Sequence, residues 1–158
     1  MPSGKTHDKI NFVILILIFI SLLKNEIMVM LPFIDYSVVI TQVDIIVFTF
    51  MYVVGTLYLS PDLDIHSYPF QRWKILRYIW IPYQTIFSHR DVLHHPVFGP
   101  LLILSTLYLL CLPLLILGEI DVIHDIPFDW MLYGGIGYVV SFELHILSDV
   151  VGSKLKRL

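Results

Sequence analysis

The residues L-L-I-L-S-T-L-Y-L-L-C-L-P-L-L-I-L, Leu101 to Leu117, run without a single charge. An α-helix needs about 20 predominantly apolar residues to cross the hydrocarbon of a bilayer. With Pro96 to Pro100 leading in, this run is long enough. The composition agrees. The chain of 158 residues is 57% hydrophobic and 15% charged, whereas soluble domains carry roughly a quarter charged residues. Mean hydropathy is +0.80. The chain reads as an integral membrane protein.

Outward from this run, Trp130 to Leu147 is a second candidate span. Val43 to Leu59 is a third, with a start as early as Ser37. The first apolar run, Ile10 to Leu23, is short. Lys24-Asn25-Glu26 interrupt it and Ile27 to Ile34 resume the apolar character, so it is either a short span or a longer one ending at Pro32. Lys5 and Lys9 precede it as in a signal peptide, yet no small-x-small cleavage site follows Leu23, so it is expected to stay attached. The expected fold is all-α: a polytopic membrane helical bundle of about four transmembrane helices, forming one domain across residues 1–158.

Four crossings put the N-terminus, the 60–95 connection and the C-terminus on one side. That side holds Lys5, Lys9, Arg72, Lys74, Arg77, Arg90, Lys154, Lys156 and Arg157, and the other holds only Lys24. The opposite side is acidic, with Glu26, Asp35, Glu119, Asp121, Asp125 and Asp129. Such a bias is expected to place the basic side, with both termini, in the cytoplasm. Between Tyr68 and Phe87, Arg72, Lys74 and Arg77 mix with Trp73, Tyr78, Trp80 and Tyr83. Cations among aromatic rings suit a headgroup layer, so an interfacial helix broken at Pro82 is expected there. It either contacts membrane lipid headgroups or simply covers the bundle end.

Several chemistries are excluded. Cys111 is the single cysteine, which rules out an internal disulfide and a thiolate metal cluster. Gly134-Gly135-Ile136-Gly137 lacks the strand context of a phosphate loop and reads as a close helix-packing surface. No nucleic-acid partner is expected.

The polar residues gather at one level. His7 precedes the first run, Asp62, Asp64 and His66 follow the second span, His89, His94 and His95 precede the third, and His145 and Asp149 end the fourth. Only His124 of the seven histidines lies at the other face. An ionised aspartate costs about 2.5–3.5 kcal/mol at the centre of a span on insertion scales, so groups retained together at helix ends imply mutual compensation, which a divalent cation would supply. His145 and Asp149 are four apart and share a helix face. Asp62 and Asp64 point the same way if that segment is extended. Imidazole and carboxylate without thiolate suit zinc, with manganese or iron as alternatives. His66 and His94 are the least expected ligands. Each piece alone also reads as a cap or an interfacial hydrogen-bonded residue.

The stretches S-G-K-T-H-D (Ser3–Asp8), S-P-D-L-D (Ser60–Asp64), R-W-K-I-L-R-Y-I-W-I-P-Y (Arg72–Tyr83), H-R-D-V-L-H-H-P (His89–Pro96) and H-I-L-S-D (His145–Asp149) together resemble a bacterial family of small membrane proteins assigned metal binding. More distantly, the His-Arg and His-x-x-x-Asp elements resemble membrane-bound metal-dependent hydrolases. Those are similar to zinc-dependent phospholipase C and the P1-type nucleases, a helical superfamily that hydrolyses phosphoesters with a zinc cluster. The resemblance implies one to three ions, and a hydrolase, more weakly than a metal site. It carries the second-histidine ligand role to His95. The chain-terminal tryptophan ligand of that superfamily has no counterpart in Met1-Pro2-Ser3.

The leading expectation is therefore a metal-dependent phosphoesterase acting on a phospholipid or other phosphoester at the cytoplasmic leaflet. His7, Asp62, Asp64, His89, His95, His145 and Asp149 would hold metal, Arg90 would bind substrate phosphate with its planar fork, and Asp8 would orient His7. Arg90 serves equally as a snorkelling anchor. A non-catalytic sensor or store would instead show a saturated shell and no cleft. A transporter would need a chain of polar groups through the spans, where only Thr49, Thr56, Ser105, Thr106, Ser141 and Glu143 occur. Asp64→Ala and His89→Ala are expected to lower the metal content of purified protein, measured by inductively coupled plasma mass spectrometry; full metal in both would remove the basis of this reading.

Overall fold

A computed structural model describes residues 4–24, 28–30, 37–87, 92–119, 121 and 125–155. The described chain is overwhelmingly helical. In order it forms α1 (Gly4–Lys24), a short antiparallel ribbon of β1 (Met28–Met30) and β2 (Ser37–Val39), α2 (Gln42–Leu57), a 3₁₀ turn (Pro61–Asp64) and α3 (Tyr68–Arg72). A 3₁₀ segment (Lys74–Trp80), α4 (Ile81–Ile86), a 3₁₀ turn (Val92–His94), α5 (Phe98–Leu117) and α6 (Phe128–Leu155) follow. The ribbon pairs Met28 with Val39 and Met30 with Ser37.

Three helical stretches, Gln42–Asp64, Phe98–Leu117 and Phe128–Lys154, are long and apolar enough to cross a membrane. The expected fourth is α1. It has 21 residues, but Lys5, Asp8, Lys9 and Lys24 fall within it. The longer alternative, ending at Pro32, falls partly outside the described residues; α1 is described to Lys24, and Met28–Met30 pairs as a strand. The expected interfacial helix is also different in detail. It is three short pieces, and the change from 3₁₀ to α falls just before Pro82, which sits in the first turn of α4, where its missing N–H leaves no bond unmade.

Local chemistry sets the ends of α2. Thr41 and Asp44 form a reciprocal capping box: the Asp44 amide donates to Thr41 Oγ1 at 3.2 Å, and the Thr41 amide donates to Asp44 Oδ2 at 2.8 Å. At the other end Ser60 caps the Pro61–Asp64 turn by accepting from the Asp62 amide at 3.3 Å. That turn brings both aspartates back over the bundle.

Small residues let α2 and α6 approach closely. A Cβ on Gly55 would overlap the Ser141 hydroxyl, and one on Gly137 would overlap the Phe48 carbonyl. Gly134 lies against Met51 and Val47, whereas Gly135 faces open space. The glycine run is thus a helix-packing surface at two of its three glycines. Above this contact Leu59, Leu63, Phe70, Trp80, Leu93, Ile103, Tyr138 and Phe142 form the buried core. The short segments are tied over the helix ends by Arg72, which donates to the Leu57 carbonyl at 3.0 Å, and by the Trp73 indole, which donates to the Tyr58 carbonyl at 2.9 Å. By contrast only 11% of the most apolar stretch of α5 is buried. Leu109, Leu114, Ile116 and Leu117 are more than half exposed, an apolar face far larger than water tolerates on a monomer.

Gly137→Leu should force α2 from α6 and cost about 1–3 kcal/mol, as overpacking does. Thermal unfolding in detergent should show a lower midpoint for it and no change for Gly135→Ala. Equal midpoints would refute the close contact.

Candidate metal centre

Four elements converge at one end of the bundle: the start of α1, the turn after α2, the turn before α5 and the last third of α6. They bring together His7, Ser60, Asp62, Asp64, His94, His145 and Asp149. The Asp62, Asp64 and Asp149 carboxylates and the His7 and His145 rings are all buried.

The geometry has an inner and an outer set. One donor atom each from Asp62, His94, His145 and Asp149 lies within 4.8 Å of the other three. Asp62 reaches two rings at once, with Oδ1 3.4 Å from His94 Nε2 and Oδ2 3.4 Å from His145 Nε2. Asp149 Oδ2 lies 3.9 Å from His94 Nε2. These spacings are wide for hydrogen bonds, and His145 Nε2 is buried without one. They suit ligands of one ion. Donors about 2.0–2.1 Å from a tetrahedral centre stand about 3.3–3.4 Å apart. Two imidazoles and two carboxylates are donors that suit zinc, manganese or iron.

The outer set holds the inner one in place. His7 Nε2 lies 3.0 Å from Asp149 Oδ1, and its Nδ1 lies 2.5 Å from Ser148 Oγ. The His7 ring stacks on His145 with centroids 4.0 Å apart. Ser60 Oγ is 3.3 Å from His145 Nδ1. Asp64 Oδ2 stands 3.9 Å from His94 Nδ1, the nitrogen that does not face Asp62. Ligating histidines are commonly steadied through their second nitrogen by a carboxylate or hydroxyl, and Asp64 and Ser60 occupy those places.

One helical turn inward lies a second polar layer. Asn11 Nδ2 donates to Thr56 Oγ1 at 3.3 Å and to the Ser141 carbonyl at 3.1 Å. The Tyr52 hydroxyl donates to the Asn11 carbonyl at 2.9 Å. Tyr52 and Tyr138 are completely buried and fill the next layer.

Among the residues expected from sequence, His7, Asp62, Asp64, His145 and Asp149 come together here. His89 and Arg90 lie outside the described residues, as does His124. Asp8 does not orient His7. It pairs with Arg72 Nη2 at 2.5 Å, and Ser148 orients His7 instead. His95 is exposed and turned away. Its Nδ1 accepts from the Val97 and Phe98 amides, both at 3.2 Å, which caps the start of α5. His94, the last residue of the 3₁₀ turn, is the imidazole that enters the cluster, while His95 follows the turn and is held by the amides at the start of α5. Asp62 and Asp64 lie in a 3₁₀ turn rather than a strand and diverge, one inward and one behind His94. His66 is exposed against Phe70. Glu143 is half-buried on α6 and is not in the cluster. The orienting serines, Ser60 and Ser148, went unread; Ser148 beside Asp149 and three residues from His145 was the available signal.

Residues 2–130 match the model of a family described as uncharacterized metal-binding protein (DUF2227). A protein of Aquifex aeolicus (strain VF5), named only as an uncharacterized protein, is 49% identical over 51 residues, covering 32% of this chain and 36% of the relative. The chain therefore spans about a third of that relative's length. No solved structure matches. Metal binding is the property the family description carries, and hydrolysis is no part of it.

His94→Ala should weaken metal binding at least tenfold and His95→Ala should leave it unchanged, while Asp64→Asn should cost about 10–100-fold as loss of an outer partner does. Competition titration with a chromophoric chelator measures all three. Equal losses in His94→Ala and His95→Ala would contradict the assignment.

Proposed function

The chain belongs to this metal-binding family, and we propose that it is a membrane-embedded metal-dependent hydrolase with its site at the cytoplasmic ends of its helices. One observation carries the step beyond binding. A cavity of about 180 Å³, lined in part by His94 and Asp149, adjoins the cluster. A storage or structural site is closed on all sides, whereas a catalytic one keeps an open position. The cavity supplies room for a reacting molecule beside two members of the donor set.

A divalent ion held by Asp62, His94, His145 and Asp149 would supply a Lewis acid able to activate water at neutral pH. The protein's own groups account for the rest. Ser60 and Asp64 fix the rings of His145 and His94, and His7 holds one oxygen of Asp149 so that the other faces inward. Asp62, with one oxygen toward each ring, would hold the ion together with His94 and His145. A phosphoester substrate is supported by the likeness to the phosphoester-hydrolysing superfamily alone. The basic side of the bundle, where Arg72 pairs with Asp8 next to His7, agrees with a cytoplasmic setting. Four crossings, with α1 as the short one, keep the site's helix ends on one side. Transport is disfavoured because Tyr52 and Tyr138 close the bundle below the second polar layer.

The test uses protein purified in detergent without a histidine tag, beside Asp62→Ala. Stoichiometric metal by mass spectrometry, lost in the variant, is expected, together with release of nitrophenol from bis(p-nitrophenyl) phosphate that Asp62→Ala abolishes. A fully metal-loaded wild type that turns over none of this ester or its monoester would reject the phosphoesterase and leave a binding protein.

A further inference from the structure

The cavity beside the cluster has two unlike halves. His94 and Asp149 form its polar floor, and Ile146 and Val150 form an apolar wall with Ser153 at the far end. Ile146, Asp149, Val150 and Ser153 are spaced three and four apart, so they make one stripe along α6. Leu147, Val150 and Val151 continue this wall outward, 55%, 45% and 47% exposed. The metal site thus opens along an apolar helix flank in the last turns of a candidate span. A small hydrophilic substrate would gain nothing from such a wall.

We infer that this cavity is a binding site for a single-chain amphiphile whose anionic oxygen head meets the metal and whose first methylenes lie on Ile146 and Val150. The inference rests on the metal site proposed above and adds the class of molecule it takes. The size is decisive for the pose. At about 180 Å³ the space is smaller than the roughly 300–1,000 Å³ of sites that engulf a whole small molecule. It holds a head and a few methylenes, and the remaining chain follows the exposed flank.

The experiment uses the full chain in maltoside micelles, loaded with cobalt(II), whose visible absorption reports its coordination. Dodecylphosphonate and laurate are compared with methylphosphonate and acetate. Burying one methylene is worth roughly fourfold in affinity, so the long-chain probes should perturb the spectrum at least tenfold more potently than their short partners. A stronger response to phosphonate than to laurate would identify a phosphate-type head, and the reverse a fatty acid. Val150→Trp, which fills the wall without touching a ligand, should retain cobalt and abolish the long-chain advantage. Equal potency of long and short probes, or an advantage unchanged in Val150→Trp, would overturn the amphiphile site while leaving the metal site standing. Failure of the wild type to bind cobalt would overturn both.

Discussion

Three buried carboxylates at the end of an otherwise apolar bundle are the constraint on which the rest of this structure depends. Asp62, Asp64 and Asp149 are at most 8% exposed. Each would cost several kcal/mol if left ionised and uncompensated. The fold answers with three imidazoles set among them, so that His7, Asp149, His94, Asp62 and His145 alternate around a closed circuit whose last contact is the stacking of His145 on His7. Hydrogen bonds close only part of that circuit. The wider gaps around Asp62 are where a bound metal ion would neutralise charge and satisfy buried atoms together.

Holding the circuit fixes how the helices stand against each other. His7 and Asn11, Thr56 and Ser60, Ser141 and His145 are three pairs spaced four residues apart, one pair on each of α1, the end of α2 and α6. Each pair gives one member to the metal layer and one to the layer below. Asn11, bonded to both Thr56 and Ser141, ties the heights of the three helices. The absence of side chains at Gly55 and Gly137 brings α2 and α6 near enough for Ser60 and His145 to meet. Packing below and chemistry above are therefore one requirement, and α1, whose outward side is apolar and exposed at Val13, Ile16 and Leu17, is held largely by polar contacts at its first two turns.

Periodicity and apolar length were legible in the sequence because they are local. The α5 and α6 runs, the glycine surface and the i, i+4 pair His145/Asp149 could all be read directly. The convergence of His7, Asp62, Asp64 and Asp149 was legible from counting which side of the apolar runs each fell on. Direction within a turn was not. Choosing between His94 and His95, or seeing that Asp62 and Asp64 diverge, requires knowing that both segments are 3₁₀ turns, and Ser-Pro-Asp-Leu-Asp is equally readable as extended chain. The partner of Asp8 was hidden for another reason: Arg72 lies 64 residues away, and no periodicity links residues across such a distance. Arg72 itself was legible only as one more cation of the basic side.

The position of the site along the bundle bears on its chemistry. A site at mid-depth would exchange metal and reactants only by conformational opening, and would need polar groups on both sides of it. Among the described residues the polar layers at this end number two, with Tyr52 and Tyr138 buried beneath them. The cluster lies where helices end, within reach of water through the turns that carry Asp62 and His94, yet its cavity is walled by Ile146 and Val150 on the flank of α6. A group bound at such a junction meets water from one direction and hydrocarbon from the other. Such a junction is available only because three helices are locked at one height, by Asn11 below and by the carboxylates they bury above.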